Sequence, residues 1–204
     1  MPALLLAAAL AASAIAVAAV STPTPSAVEA IATRPVIGDP AAPVLIKEYG
    51  DFQCPSCGAF ARGIEPQIRS AYIDTGRARL EWYDFAWIGP ESRDAANAAR
   101  CAGNQDRFWD YHDLLYQNQG GENTGAFSRD RLKGFGDVLG LEPTDFRACV
   151  DAGTYGAAVE ADFAAVRRNG FNGTPTFVIG DRRIVGAQPF DTFAGAIDAA
   201  SPGH

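Results

Sequence analysis

Cys54 and Cys57 are separated only by Pro55 and Ser56, and at the start of a helix this spacing brings two Cβ atoms to disulfide distance. The first sulfur then sits where unpaired backbone N–H groups and the positive end of the helix dipole favour an anion. Its pKa is expected to fall below the ordinary value of about 8.5, which makes Cys54 a thiolate nucleophile at neutral pH. Cys57, one turn deeper, is placed to attack a mixed disulfide formed on Cys54 and release its partner. Two other uses of the pair remain open, half of a zinc site or a static disulfide. Zinc needs four ligands, and the remaining candidates Cys101, Cys149 and His112 offer no second close pair.

To present such a pair, a strand must end just before it and a helix must begin on it. Residues 44–49 (VLIKEY) have the length and β-branched content of a strand, and Gly50-Asp51-Phe52-Gln53 leads from them into Cys54. A helical stretch should run from Pro55 to about Tyr72; Pro at its first position costs nothing, whereas Pro66 inside it should kink it. Residues 79–85 read as a second strand. Residues 91–170 lose strand character and show helical segments near 92–118, 128–139, 144–152 and 155–169, with Gly140, Gly153 and Gly170 as helix stops. Residues 175–180 and 182–186 make two short strands around Gly180-Asp181, a hairpin signal, and a helix at 191–200 closes the chain. The fold class is α/β, one sheet domain interrupted by helices at about 91–170.

The 204 residues suit one domain, and 48% hydrophobic with 20% charged residues is an ordinary globular composition. Seventeen Lys and Arg against 24 Asp and Glu leave a net charge of −7, so a nucleic-acid partner is disfavoured. Residues 3–20 carry no charge and only Ser13 is polar, and 10 of these 18 residues are Ala. As a helix they would reach about 27 Å. A signal peptide or membrane anchor is therefore expected over 1–20, with A-x-A-like cleavage positions at Ala16, Ala18 and Ala19. Either one delivers the rest outside the cytoplasm, to a periplasmic or similar compartment. Residues 21–37, with Pro23, Pro25 and Pro35, read as a linker, and folding is expected to begin near Gly38. In an oxidising compartment Cys101 and Cys149, each in a helical segment, should pair with each other as a structural disulfide; two buried free thiols are the alternative.

Asp51-Phe52-Gln53-Cys54-Pro55-Ser56-Cys57, followed about 120 residues later by Gly173-Thr174-Pro175-Thr176-Phe177 with helices between, resembles the DsbA-like branch of the thioredoxin superfamily. The likeness covers residues 38–200. It implies a thioredoxin-like fold with an inserted helical domain and extracytoplasmic thiol:disulfide exchange. Pro175 matches the superfamily's cis-proline beside the active cysteines, leaving the backbone of Thr174 to pair with an extended substrate. Glu48 falls where the superfamily keeps a buried acid that relays the proton of Cys57; the alternative is an edge-strand charge paired with Lys47 or another cation. Ser56 departs from the His of the best-known member. A neutral Ser lends no positive charge to the Cys54 thiolate, so a weaker oxidant is expected.

The activity implied is a monomeric oxidase that donates the Cys54–Cys57 disulfide to reduced or unfolded secretory proteins and is reoxidised by a quinone-linked membrane partner. No organic cofactor or metal is implied. An isomerase or reductase, and a non-catalytic peptide-binding or chaperone module, are the alternatives. Isomerases of this class commonly add a dimerisation domain, for which 17 linker residues are too few. The aromatic residues of Phe108-Trp109-Asp110-Tyr111-His112 are read as core and His112 as a hydrogen-bonded structural residue. Gly134-Phe135-Gly136 is no phosphate loop.

Overall fold

The computed structural model describes residues 34–203; the expected leader at 1–20, most of the linker and His204 lie outside them. Strand β2 (Val44–Gly50) runs parallel to β3 (Ala78–Asp84), and β1 (Val36–Ile37) pairs antiparallel with the outer side of β3. On its other side β2 is antiparallel to β4 (Thr176–Ile179), which turns back into β5 (Arg182–Val185), so the five strands lie in the order β1-β3-β2-β4-β5. The parallel pair needs a crossover, supplied by α1 (Pro55–Gly63), α2 (Glu65–Ile68) and a π turn over Arg69–Ile73. Between β3 and β4 come α3 (Pro90–Gly103), α4 (Phe108–Gln117), α5 (Arg129–Val138), α6 (Pro143–Ala152) and α7 (Gly156–Arg168), and α8 (Phe190–Ala200) closes the chain. This is the expected α/β, thioredoxin-like fold with an inserted run of helices.

Three boundaries differ from the sequence reading. The linker ends before Ile37: Val36 and Ile37 form β1 against Glu81 and Leu80, and the Pro35 carbonyl accepts the Trp82 N–H. Their β-branched side chains cap a sheet edge that Pro-rich composition had masked. The helix after Cys54 breaks at Ile64 rather than bending at Pro66, which falls in the first turn of α2, where its missing N–H costs nothing. The stretch 92–118 is two helices, divided by a turn in which Asp106 takes the left-handed region at φ 58°. Gly140, Gly153 and Gly170 sit just past helix ends with positive φ, where a side chain would be strained.

Two cores lie side by side on one face of the sheet, the face to which Leu80 and Trp82 of β3 both point. Val44, Ile46, Leu80, Phe177 and Ile179 pack with Phe60 of α1 and Phe193 of α8. Phe52, Trp82, Tyr111, Leu115, Tyr116 and Phe127 form the other core beneath the inserted helices. Cys101 on α3 and Cys149 on α6 are joined by a disulfide across 48 residues of sequence.

A buried ion cluster fastens the insertion to the sheet. Arg100 of α3 reaches Asp84 at the end of β3 and Asp162 of α7, and Arg34 closes the cluster onto Asp162 at 2.7 and 2.8 Å. The Asp84 carboxylate also takes the Trp82 indole N–H at 2.7 Å, which orients the ring that stacks on Phe52 at 4.9 Å. Arg100→Met leaves the Asp84 charge buried without its cation and is expected to cost about 3–5 kcal/mol, read as a lower urea midpoint at unchanged slope.

Candidate active site

Cys54 caps α1 in an extended conformation (φ −68°, ψ 121°), with Pro55 as the first helical residue. Its carbonyl begins the helix by accepting the Gly58 N–H at 3.1 Å. Cys54 and Cys57 are both free thiols, the first 7% and the second 0% exposed. Cys101 and Cys149 are bonded to each other, so they are not available to complete a zinc set with this pair.

The two thiols differ in acidity. Hydrogen bonding from the Cys57 thiol lowers the Cys54 pKa to about 6 against the cost of burial, helped by the Thr174 side chain and the backbone N–H groups of Cys57 and Ser56. Burial pushes the Cys57 thiol well up, and the neighbouring Cys54 charge raises it further. Both effects follow from placement: one sulfur at the mouth of the helix, the other inside it.

The loop before Cys54 is set by Asp51, a carboxylate 1% exposed. Its Oδ1 accepts the Gln53 N–H at 2.8 Å, and its Oδ2 accepts the N–H groups of Trp87 and Ile88 at 2.9 and 3.0 Å. Burial raises the Asp51 pKa, while these bonds and the Ser92 hydroxyl oppose the rise. From the other side Gln119 donates to the carbonyls of Phe52 and Cys54 at 2.8 and 2.9 Å. That approach requires Gly58, because a Cβ there would collide with the Gln119 amide.

The Thr174–Pro175 peptide bond is cis, and the Cys54 thiol donates to the Thr174 carbonyl at 3.4 Å. Thr174, Pro175 and the cysteine pair are thus brought together. The carbonyl expected to pair with an extended substrate is taken by the thiol in this dithiol state. Ser56 faces the β5–α8 connection, its hydroxyl accepting the Ala187 N–H at 3.4 Å.

Glu48 is not on an edge strand, and among the described residues it pairs with no cation. It lies in the central β2 between Trp82 and Phe177 of the flanking strands, wholly buried, with both carboxylate oxygens lacking a hydrogen-bond partner. Burial raises its pKa well above the usual carboxylate range, and the Glu65 charge adds to the rise. Nearby, Glu65, His112 and Asp113 converge closely enough to suggest a metal set. Arg69 spans that cluster, bonding Glu65 and reaching Asp113 at 2.9 Å, and supplies the positive charge there. His112 is buried as expected, with Nδ1 2.8 Å from the Asp113 carboxylate.

Comparison with known proteins agrees with this geometry. Residues 30–199 match the family model described as Thioredoxin. The chain is 29% identical over 174 residues to the disulfide bond formation protein D of Bacillus subtilis, covering 82% of this chain and 77% of that one. The crystal structure of oxidised BdbD from the same organism superposes with a TM-score of 0.76 at 28% identity, covering 82% and 92% of the two chains. The chain belongs to the DsbA-like thiol:disulfide oxidoreductases of the thioredoxin superfamily. It is also 32% identical over 170 residues to the Na(+)/H(+) antiporter NhaA 1 of Salinispora arenicola, covering 82% of this chain but spanning only 25% of that protein. Among the described residues of this DsbA-like chain no helix is long and apolar enough to cross a membrane.

Asp51, Trp87 and Gln119 were missed as site residues by sequence reasoning. Asp51 stood inside the motif, but nothing local announces that a carboxylate will gather backbone N–H groups 36 and 37 residues away. Gln119 and Trp87 reach the site only through tertiary folding.

Two outcomes follow from the titrations. Iodoacetamide labelling of the reduced protein should rise about tenfold per pH unit below about 6 and level off above it, with Cys57 unlabelled. Because the folded pKa of Glu48 is raised, its share of stability is complete below the unfolded value and is lost as pH rises towards the folded value. Glu48→Gln should therefore be more stable than the wild type to urea at neutral pH, with the gap closing as the pH falls to about 4.5.

Proposed function

We propose that this chain is an exported oxidase that introduces disulfides into reduced secretory proteins through Cys54 and Cys57. The observation that carries the reading is the split in thiol acidity, with Cys54 lowered to about 6 and Cys57 raised. A substrate thiolate attacks the Cys54 sulfur of the oxidised pair, and the Cys57 sulfur leaves with the electron pair and takes up a proton. A second substrate thiolate then attacks the substrate sulfur of the mixed disulfide and expels Cys54 as its stabilised thiolate. Two electrons pass from the substrate to the pair, and a quinone-linked membrane partner removes them. In the reverse attack by Cys57, its thiol must lose a proton in a dry setting. Glu48 is the acid beneath it, and Glu48→Gln should slow that step by about 10- to 100-fold.

Ser56, which lends no positive charge to the Cys54 thiolate, supports an oxidant of intermediate strength. A Cys54 pKa of about 6 lies between those of thioredoxin, about 7, and DsbA, about 3.5. The potential against a glutathione buffer should accordingly fall between about −270 and −120 mV. A value at or below the lower figure would make the chain a reductase. Cys57→Ala should trap secretory proteins as mixed disulfides on Cys54, seen as reducible adducts on gels. The absence of any adduct would leave only a peptide-binding module.

A further inference from the structure

Trp87 is 48% exposed at the mouth of the site, an unusual place for the largest apolar side chain unless its polar edge is in use. Its indole N–H donates to Thr174 Oγ1 at 3.1 Å. Its backbone N–H donates to the Asp51 carboxylate, and the backbone carbonyl of Asp51 accepts the Cys54 N–H at 3.0 Å. One buried acid therefore sets both the loop that presents the nucleophile and the loop from which Trp87 reaches across to Thr174.

A hydroxyl has one hydrogen to give and two lone pairs to receive. An indole N–H can only donate, so it occupies the Thr174 oxygen without competing for the hydroxyl hydrogen. That hydrogen is left for the Cys54 thiolate, whose thiol form lies against the same residue, donating to the Thr174 carbonyl at 3.4 Å, and the Thr174 side chain also favours the Cys54 anion. We propose that Trp87 is a positioning residue for Cys54, its indole N–H orienting the Thr174 hydroxyl so that the hydroxyl hydrogen points at the nucleophilic sulfur. Trp87 touches no reacting atom itself. It acts through Thr174, which a Phe, with the same apolar ring character but no donor, would not do.

The inference rests on Cys54 being the exchange nucleophile, and the experiment separates the two. Cys54 is titrated in the reduced protein by the ultraviolet absorbance of its thiolate. Trp87→Phe should move the midpoint up by about half a unit to one unit. Thr174→Val should also raise it, and adding Trp87→Phe to Thr174→Val should move it no further. An unchanged midpoint in folded Trp87→Phe, or two shifts that add in full, overturns the proposal while leaving Cys54 an exchange nucleophile. Should Trp87→Phe fail to fold, the wild-type protein carries the test: the indole N–H resonance of Trp87 should shift with the Cys54 midpoint, and a resonance indifferent to it overturns the proposal. A Cys54 that stays protonated through neutral pH and inert to disulfides would remove the exchange reading and the role of Trp87 with it.

Discussion

A single carboxylate out of reach of water holds the working parts of this protein in register. Asp51 accepts backbone N–H groups from its own loop and from the loop beyond β3, and both segments converge on Cys54. Such an acceptor is costly to bury and is tolerated only where enough donors face it. Once those donors are in place, the loops cannot drift apart without exposing an unpaired charge. The position of the Cys54 sulfur at the mouth of α1 is thus fixed by backbone hydrogen bonds, with helix packing as the support behind them.

The supports reach outward through aromatic rings and ions. Phe52 follows Asp51 and stacks on Trp82, Trp82 is oriented by Asp84, and Asp84 is held by Arg100 of the insertion. The helices inserted between β3 and β4 are consequently part of the site's foundation. They also bring Gln119 onto the carbonyls of Phe52 and Cys54 and shut solvent away from Cys57. Cys57 and Glu48 are both buried, and burial holds the pKa of each above its ordinary value.

Much of this was legible in the residues. The Cys-Pro-Ser-Cys spacing at a helix start, the hairpin around Gly180-Asp181 and the glycine stops are all set by local backbone preference, and the fold carries them where they were expected. The errors share a cause. β1 is a strand only because β3 offers an edge, and the break at Asp106 depends on how α3 and α4 pack. The hydrogen bond from Trp87 to Thr174 spans 87 residues, and no periodicity encodes it. Composition and spacing reveal which groups can react; long-range pairing decides how strongly.

The bridge between Cys101 and Cys149 ties α3 to α6 within the same insertion that carries Gln119 to the nucleophile. On the oxidase reading proposed above, a catalyst that hands out such bonds must first receive one. On that reading each newly made copy begins as a substrate for an oxidant, and a mature copy is able to serve as one. Maturation of this protein would then accelerate as mature molecules accumulate, with a lag when the pool starts empty.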